Sequence, residues 1–501
     1  MPASLSGFRR PDDRAATDAP RTREATPAPS VSESGPDGLA ANGPPDSRPR
    51  GAALRVNPRR NRPRAIHWIA VLSGVALLTA CTSPSAPPIR PPGAAAAPEE
   101  DDGRLWLAAS VAEESIVPAE VLYADTALQQ YVEEIAGRLT PTSYRDARGE
   151  GLRVRVRKDP RLNASALSHG TLVIHTGMIA RAENEAQLAG VLAHEIVHVT
   201  HRHDAREARA IQSRRAPADV AEFLELLEVT AAAVDPANRG HSDTADDLAR
   251  DAPPLLRLGL NLSFVAMVSG YARDLEREAD KAGLRLMADA GYDPREMSAM
   301  LRAIRDESDE RGAVETFFWG SRSRLSERVE AVEKLAPQFP VSLRTPIASG
   351  PEFERRAQWL RVTNAQYDAF LGRVAIARAQ VSKAAAVVPP AIRPTASEVF
   401  HGLMWSSAAR GARMALNDDR LANEFMDTAV ASMDRAATLA PRGSAILADA
   451  YRIKGLMLYE WWANGSKRCQ SKPDLERYLE LRPTAADGDV IRTKLADLEW
   501  C

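Results

Sequence analysis

Residues 184–200 read NEAQLAGVLAHEIVHVT, and the reading of this stretch decides the fold around it. Leu188, Leu192, Ile196 and Val199 recur at helical spacing, as the apolar stripe of an amphipathic helix does. Asn184 stands just before the stripe with Gln187 three residues on, a pairing able to form a capping box. His194-Glu195-Ile196-Val197-His198 therefore falls on a helix. Two positions four apart on a helix differ by about 40° in azimuth and about 6 Å along the axis. Imidazoles at His194 and His198 can thus reach one metal ion, with Glu195 held beside it. Zinc with three protein ligands keeps its fourth position for water and lowers that water's pKa to about 7. Glu195 is then the general base, taking the water's proton during attack on a carbonyl and passing it to the leaving amine.

With 9 histidines in 501 residues, such a pattern arises by chance in roughly one chain per hundred. A solvated face bearing two histidines is therefore the competing reading. Against it, Glu195 falls near the apolar stripe, where a carboxylate without a metal or a base is costly to bury. The third ligand must come from another element. Asp204 occupies the position six after His198 where a metzincin carries histidine, which excludes that subclass. Further on, residues 271–280 read YARDLEREAD inside a long helical pattern, placing Glu276 and Asp280 on one face. Glu276 is the candidate third zinc ligand. Asp280 is the candidate acceptor for the free N–H of a ligating histidine. A charged solvent face is the alternative for this segment, and it is the reading adopted for Glu278. His201 and His203 are read as solvated residues continuing the same helix, while His169, His175 and His241 are unassigned.

Folded pattern begins near Leu105. Leu128, Tyr131, Val132, Ile135 and Leu139 predict a helix, and Leu152 to Val156 and Thr171 to His175 predict strands. Gly291 followed by Asp293-Pro294 ends one helix and starts another. Leu258 to Val268 is apolar but too short to span a bilayer, so it is a core helix or a membrane-dipping segment. Residues 205–253 are charged and irregular, a candidate flap over a cleft.

The ordered set of residues resembles the gluzincin peptidases of family M48. The resemblance rests on Asn163-Ala164 with Gly170 and the strand Leu172 to Ile174, and on the stretch from Gly177-Met178-Ile179 through Leu192-Ala193-His194-Glu195. Glu276 with Asp280 and Gly283 completes it, over about residues 105–335. It implies one zinc ion per chain, held by His194, His198 and Glu276, with Asp280 as the orienting partner and polypeptides as substrates. It also implies an edge strand, taken as Thr171 to Ile174, onto which an extended peptide docks by strand addition. One departure stands out. Relatives often carry a His-Pro pair shortly before an Arg-hydrophobic pair, whereas here Ser321-Arg322-Ser323 precedes Glu327-Arg328-Val329. In some relatives that histidine caps the zinc. Arg322 cannot do so because it stays protonated; it stabilises an oxyanion or makes a surface salt bridge.

The front of the chain reads as an address. Residues 1–55, rich in Pro, Ala, Arg, Ser, Asp and Gly, cannot bury enough surface to order themselves, and are read as disordered or as an extension ahead of a start at Val56. Residues 56–80 carry a basic region at Arg59, Arg60, Arg62 and Arg64 and an apolar run from Ala65 to Leu78. Leu78-Thr79-Ala80-Cys81 resembles a bacterial lipobox, which makes Cys81 the lipidated first residue of the mature protein. An uncleaved anchor is the alternative. Thr82 in place of aspartate favours the outer membrane. Residues 81–104 then form a flexible tether.

Composition narrows the field further. Sixty-five basic against 67 acidic residues give a formal net charge of −2, so no global field favours nucleic acid. Three cysteines are too few for a disulfide scaffold or a cysteine-ligated zinc site, and leave Cys469–Cys501 pairing open. Residues 105–340 are thus expected to form an α+β peptidase domain, mainly α with a small β-sheet. An all-α domain follows over residues 351–501. From Leu421 it resembles degenerate tetratricopeptide helices, although Pro441 and Pro483 lie 42 residues apart against a period of about 34. That tail braces the catalytic domain or captures peptides, including partners in envelope assembly. The expected function is a lipid-anchored envelope endopeptidase. Its rivals are a non-catalytic scaffold for outer-membrane protein assembly and a lipoprotein with an accidental motif.

Overall fold

The computed structural model describes residues 100–148, 151–214, 271–311, 322–340, 351–462 and 465–501. The expectations for residues 1–99, including Cys81 and its signal region, lie outside the described residues, as do residues 215–253 and Leu258 to Val268. Among the described residues no helix is long and apolar enough to cross a membrane.

Chain order runs α1 (Glu100–Ile116), α2 (Thr126–Leu139), α3 (Thr142–Arg148), β1 (Arg153–Arg157), β2 (Ala164–Ala166), β3 (Thr171–His175), α4 (Thr176–Arg181) and α5 (Glu185–Thr200). Then come α6 (His203–Arg214), α7 (Arg273–Asp289), α8 (Arg295–Arg311) and α9 (Arg322–Leu335). The fold is mainly helical with one small sheet, as expected.

The sheet has the order β1-β3-β2. β1 runs parallel to β3, with Arg153 opposite Thr171, and β2 runs antiparallel to it, with Ala164 opposite Ile174. This corrects the expectation for Thr171 to Ile174. Both sides of β3 are occupied, so its backbone groups are spent within the sheet and it cannot accept an added strand. The sheet's outer strands are β1 and β2, and β2 is the three-residue strand that periodicity is too short to reveal.

Asp125 caps α2 by accepting from the Leu128 N–H at 3.0 Å, and Leu128, Tyr131, Val132, Ile135 and Leu139 are buried as their spacing predicts. Asn184 caps α5 by accepting from the Gln187 N–H at 2.8 Å. The return bond of the box is shifted by one residue, because Gln187 Oε1 accepts from the N–H of Glu183 rather than from Asn184. Every residue of α5 is buried, not only the predicted stripe. The helix is packed against α2, β2, α7 and α8. Gly283 permits the tight α5–α7 approach: a Cβ there would lie 3.3 Å from the backbone nitrogen of His194 and 3.0 Å from Met297.

From residue 351, α10 (Pro351–Phe370), α11 (Val374–Ala386), α12 (Arg393–Ala415), α13 (Asp419–Leu439), α14 (Ala445–Trp461), α15 (Ser466–Cys469), α16 (Ser471–Leu481) and α17 (Gly488–Ala496) follow one another. The break predicted near Val388 to Pro394 separates α11 from α12. Helix α10 belongs to two cores. Phe353, Ala357 and Leu360 pack with the sheet-containing region, and Val362, Ala365 and Ala369 pack with the tail. Its polar groups bind the same neighbour. Thr176 donates to Asn364 at 2.9 Å, Arg181 pairs with Asp368 at 2.9 Å, and the fully buried Arg361 donates to the Ala182 carbonyl at 3.0 Å. Cys469 and Cys501 form a disulfide, with Cα atoms 5.5 Å apart, closing the end of the tail over a small core of Ala448, Leu475, Tyr478, Ile491 and Leu498.

Candidate metal centre

His194 and His198 project from one face of α5, and their Nε2 atoms stand 3.0 Å apart. Glu276 lies in the first turn of α7. One of its carboxylate oxygens is 3.4 Å from His194 Nε2 and the other 3.8 Å from His198 Nε2. All three donors fall within 4.8 Å of one another. Zinc ligands about 2.0–2.2 Å from a tetrahedral ion stand roughly 3.4 Å apart, so this triangle has the dimensions that ion needs. Glu195, between the two histidines in sequence, is also buried.

The outward atoms of the rings are held as firmly. His194 Nδ1 is 3.0 Å from Asp280 Oδ1, so the carboxylate accepts an Nδ1–H while Nε2 faces the triangle. The His198 ring stacks on Tyr271, centroids 4.1 Å apart and planes 16° from parallel. Its Nδ1 lies 2.8 Å from Nδ1 of His203. The Tyr271 N–H donates to Glu276 at 3.0 Å and its hydroxyl donates to Asp204 at 2.5 Å. Asp204 thus supports the aromatic wall and is not a ligand, consistent with the exclusion drawn from its position.

Arg328 on α9 stands between the two carboxylates of α7. Its guanidinium reaches Glu276 at 3.2 Å and donates to both Asp280 oxygens at 2.7 and 2.9 Å. Burial alone would raise Glu276 and Asp280, but Arg328 and then His194 outweigh it and keep both well below the usual carboxylate range. For His194, burial and Arg328 oppose the proton, yet Asp280 and Glu276 prevail and lift the ring to about 9. Burial, followed by the neighbouring His194 and His203, keeps His198 neutral. Burial pushes the Glu195 carboxyl up to about 7, with Glu276 adding to the effect against His194 and Arg328.

Three donors of this kind on two crossing helices, with a glutamate between the histidines, are the arrangement of a metallopeptidase. Residues 125–363 match peptidase family M48. That match covers 239 of the chain's 501 residues, just under half. Among curated proteins, the chain is similar to the putative beta-barrel assembly-enhancing protease of Vibrio cholerae, 31% identical over 186 residues covering 36% of this chain and 34% of the relative. The beta-barrel assembly-enhancing protease of Yersinia pestis is 31% identical over 190 residues, 38% of this chain and 35% of the relative. The mitochondrial metalloendopeptidase OMA1 of Schizosaccharomyces pombe is 28% identical over 188 residues, 38% of this chain and 48% of the relative. The chain thus spans about a third of the length of the bacterial relatives that it matches.

Within the matched stretch the structure brings together all five residues singled out on α5 and α7: His194, Glu195, His198, Glu276 and Asp280. Arg322 is the first residue of α9, and its side chain lies outside the described residues. Two readings need correction. The helix of the motif ends at Thr200, and Arg202 takes φ of 56°, a turn that swings His203 inward until it is fully buried rather than solvated. Glu278 is not a free solvent face, for it pairs with His201 at 2.6 Å and with Arg206 at 2.8 Å. Sequence reasoning missed Arg328, Tyr271 and His203. The Arg328-Val329 pair was visible on a helical pattern, but nothing local tells which carboxylates a distant arginine meets.

Proposed function

We propose that this protein is a zinc-dependent endopeptidase of the cell envelope, with Glu195 as general base and His194, His198 and Glu276 as the residues that hold zinc. The observation that carries the reading is the convergence of two imidazole Nε2 atoms and a carboxylate within 4.8 Å of one another, with the buried Glu195 on the same helix. When bound there, zinc supplies Lewis acidity that makes water a nucleophile near neutral pH. The chain's own residues do the rest. Glu195, near 7 without a cation, takes the proton of the attacking water and delivers it to the amide nitrogen as the peptide bond breaks. Asp280 keeps the His194 proton on Nδ1 so that Nε2 stays available, and Arg328 keeps Glu276 and Asp280 ionised in a buried setting.

The substrate is an extended polypeptide. β2, beside α5, is the strand suited to receive it: Asn163 and Leu167 turn their backbone bonds toward β3, so Ala164 and Ala166 direct theirs to the opposite side. Two observations support the envelope setting. The Cys469–Cys501 disulfide belongs to an oxidising compartment, and two of the relatives are named for beta-barrel assembly. Lipidation at Cys81 places the enzyme at the periplasmic face of the outer membrane, with the tetratricopeptide-like tail contacting assembling envelope proteins.

The test is Glu195→Gln in the full-length chain. It is expected to retain one zinc per chain and to lose cleavage of an unfolded protein such as casein by at least about 100-fold. Purified wild-type protein without stoichiometric metal, or a variant that cleaves at the wild-type rate, refutes the enzyme. Full rescue of a deletion phenotype by the variant establishes the scaffold instead.

A further inference from the structure

His201, His203 and Glu278 offer a second group of donor atoms within 4.8 Å of one another, immediately beside the first. Proton placement decides what this group does. A neutral imidazole has one N–H and one lone pair. If His198 turns the lone pair of Nε2 toward a metal, its proton sits on Nδ1, which is 2.8 Å from His203 Nδ1. That contact is a hydrogen bond only if His203 Nδ1 accepts. The His203 proton must then sit on Nε2. This atom is buried without a hydrogen-bond partner, and Glu278 Oε1 is 3.7 Å away, beyond hydrogen-bond reach but near enough for its charge to favour a proton there. A His203 whose Nε2 carries a proton has no lone pair there for a second ion. Glu278 is further committed to Arg206 and His201.

We infer that His203 is a positioning residue for the metal centre, accepting the Nδ1–H of His198 while the Glu278 carboxylate, 3.7 Å from His203 Nε2, favours the His203 proton on that nitrogen electrostatically. The chain His198–His203–Glu278 does for the second imidazole what Asp280 does for the first. Both supports come from α7, which also carries Glu276: Glu276, Glu278 and Asp280 lie on three successive alternate positions. The third reaches its histidine directly, whereas Glu278 acts through an interposed ring. Such outer partners fix ring orientation and ligand basicity, and their loss lowers metal affinity about 10–100-fold. The inference rests on the metal reading above, so its test must separate the two.

The experiment measures zinc affinity of the full-length chain by competition with a chromophoric chelator, together with the visible absorption of the cobalt-loaded protein. The wild type is compared with His203→Leu, His203→Gln and Glu278→Gln. Leucine fills the site but cannot accept a proton, whereas the glutamine oxygen can take the Nδ1–H of His198. His203→Leu is expected to weaken zinc binding about 10–100-fold and to shift the cobalt spectrum, and His203→Gln to recover most of both. Glu278→Gln should give an intermediate loss. Thermal melting of the metal-free proteins controls for folding, because a merely structural role lowers the melting temperature without separating Leu from Gln in affinity. Equal affinity in wild type and His203→Leu overturns the inference, as does a stoichiometry of two zinc ions per chain. Absence of zinc binding by the wild type overturns the metal reading itself.

Discussion

Arg328→Met removes the guanidinium between Glu276 and Asp280 while keeping an apolar stem of similar reach. At 2.7–3.2 Å and an effective dielectric of about 20, each charge pair attracts by about 5–6 kcal/mol before desolvation. Removing one member of a buried pair costs about 3–5 kcal/mol net, because the other is left uncompensated. That is the loss expected for the metal-free protein. In the zinc-loaded protein the ion itself neutralises Glu276, leaving only the Asp280 share, so the loss should fall by about 2 kcal/mol. Thermodynamic linkage then requires the variant to bind zinc more tightly than the wild type, by the roughly 30-fold that 2 kcal/mol represents. Urea unfolding in chelator and in excess zinc, with a direct zinc titration, measures all three quantities. Equal destabilisation in both conditions, or weaker zinc binding by the variant, refutes the electrostatic role given to Arg328.

Two further outcomes follow from groups remote from the metal. Glu113 accepts from Thr171 and contacts His169 and Arg155 at 2.7–3.1 Å, and although burial opposes it, these partners lower its carboxyl to about 2. Its unfolded value is near 4.5, so its stabilisation is complete above about pH 4.5 and is lost as pH falls toward 2. The shift amounts to at most about 3 kcal/mol, and about 1–2 after solvent screening. Glu113→Gln should therefore flatten the acid limb of stability between pH 4.5 and 2, as urea midpoints at each pH will show; an unchanged limb refutes it. Cys469→Ser with Cys501→Ser opens a loop of 32 residues, worth about 3–4 kcal/mol by chain entropy. The tail should melt earlier while cleavage of unfolded casein is retained, and a melt insensitive to reductant contradicts this.

The motif helix, its cap and its ligand spacing were legible because they are local. Four residues of a helix fix the relation of His194 to His198, and the capping preference of Asn184 acts over three residues. The helix carrying Glu276 was legible for the same reason, but its arrival beside α5 was not a local matter; Gly283 marks the approach only once the partner is known. The edge strand was misplaced for a related cause. An alternating or apolar run reveals that Thr171–His175 is a strand, yet its rank in the sheet depends on Ala164–Ala166, three small residues with no periodicity of their own.

His203 illustrates the boundary most clearly. A charged stretch following a helical motif reads as more exposed helix, and only the left-handed turn at Arg202 redirects it, a conformation that an arginine does not announce. Residue spacing along the chain determined that two imidazoles and a glutamate share one helix, and with them the class of chemistry. Packing between helices distant in the chain decided which carboxylates surround them, that Arg328 neutralises those carboxylates, and that His203 stands behind His198. The division is physical: hydrogen bonds within a helix depend on near neighbours, whereas the cost of burying charge is relieved by whichever partners the fold brings close.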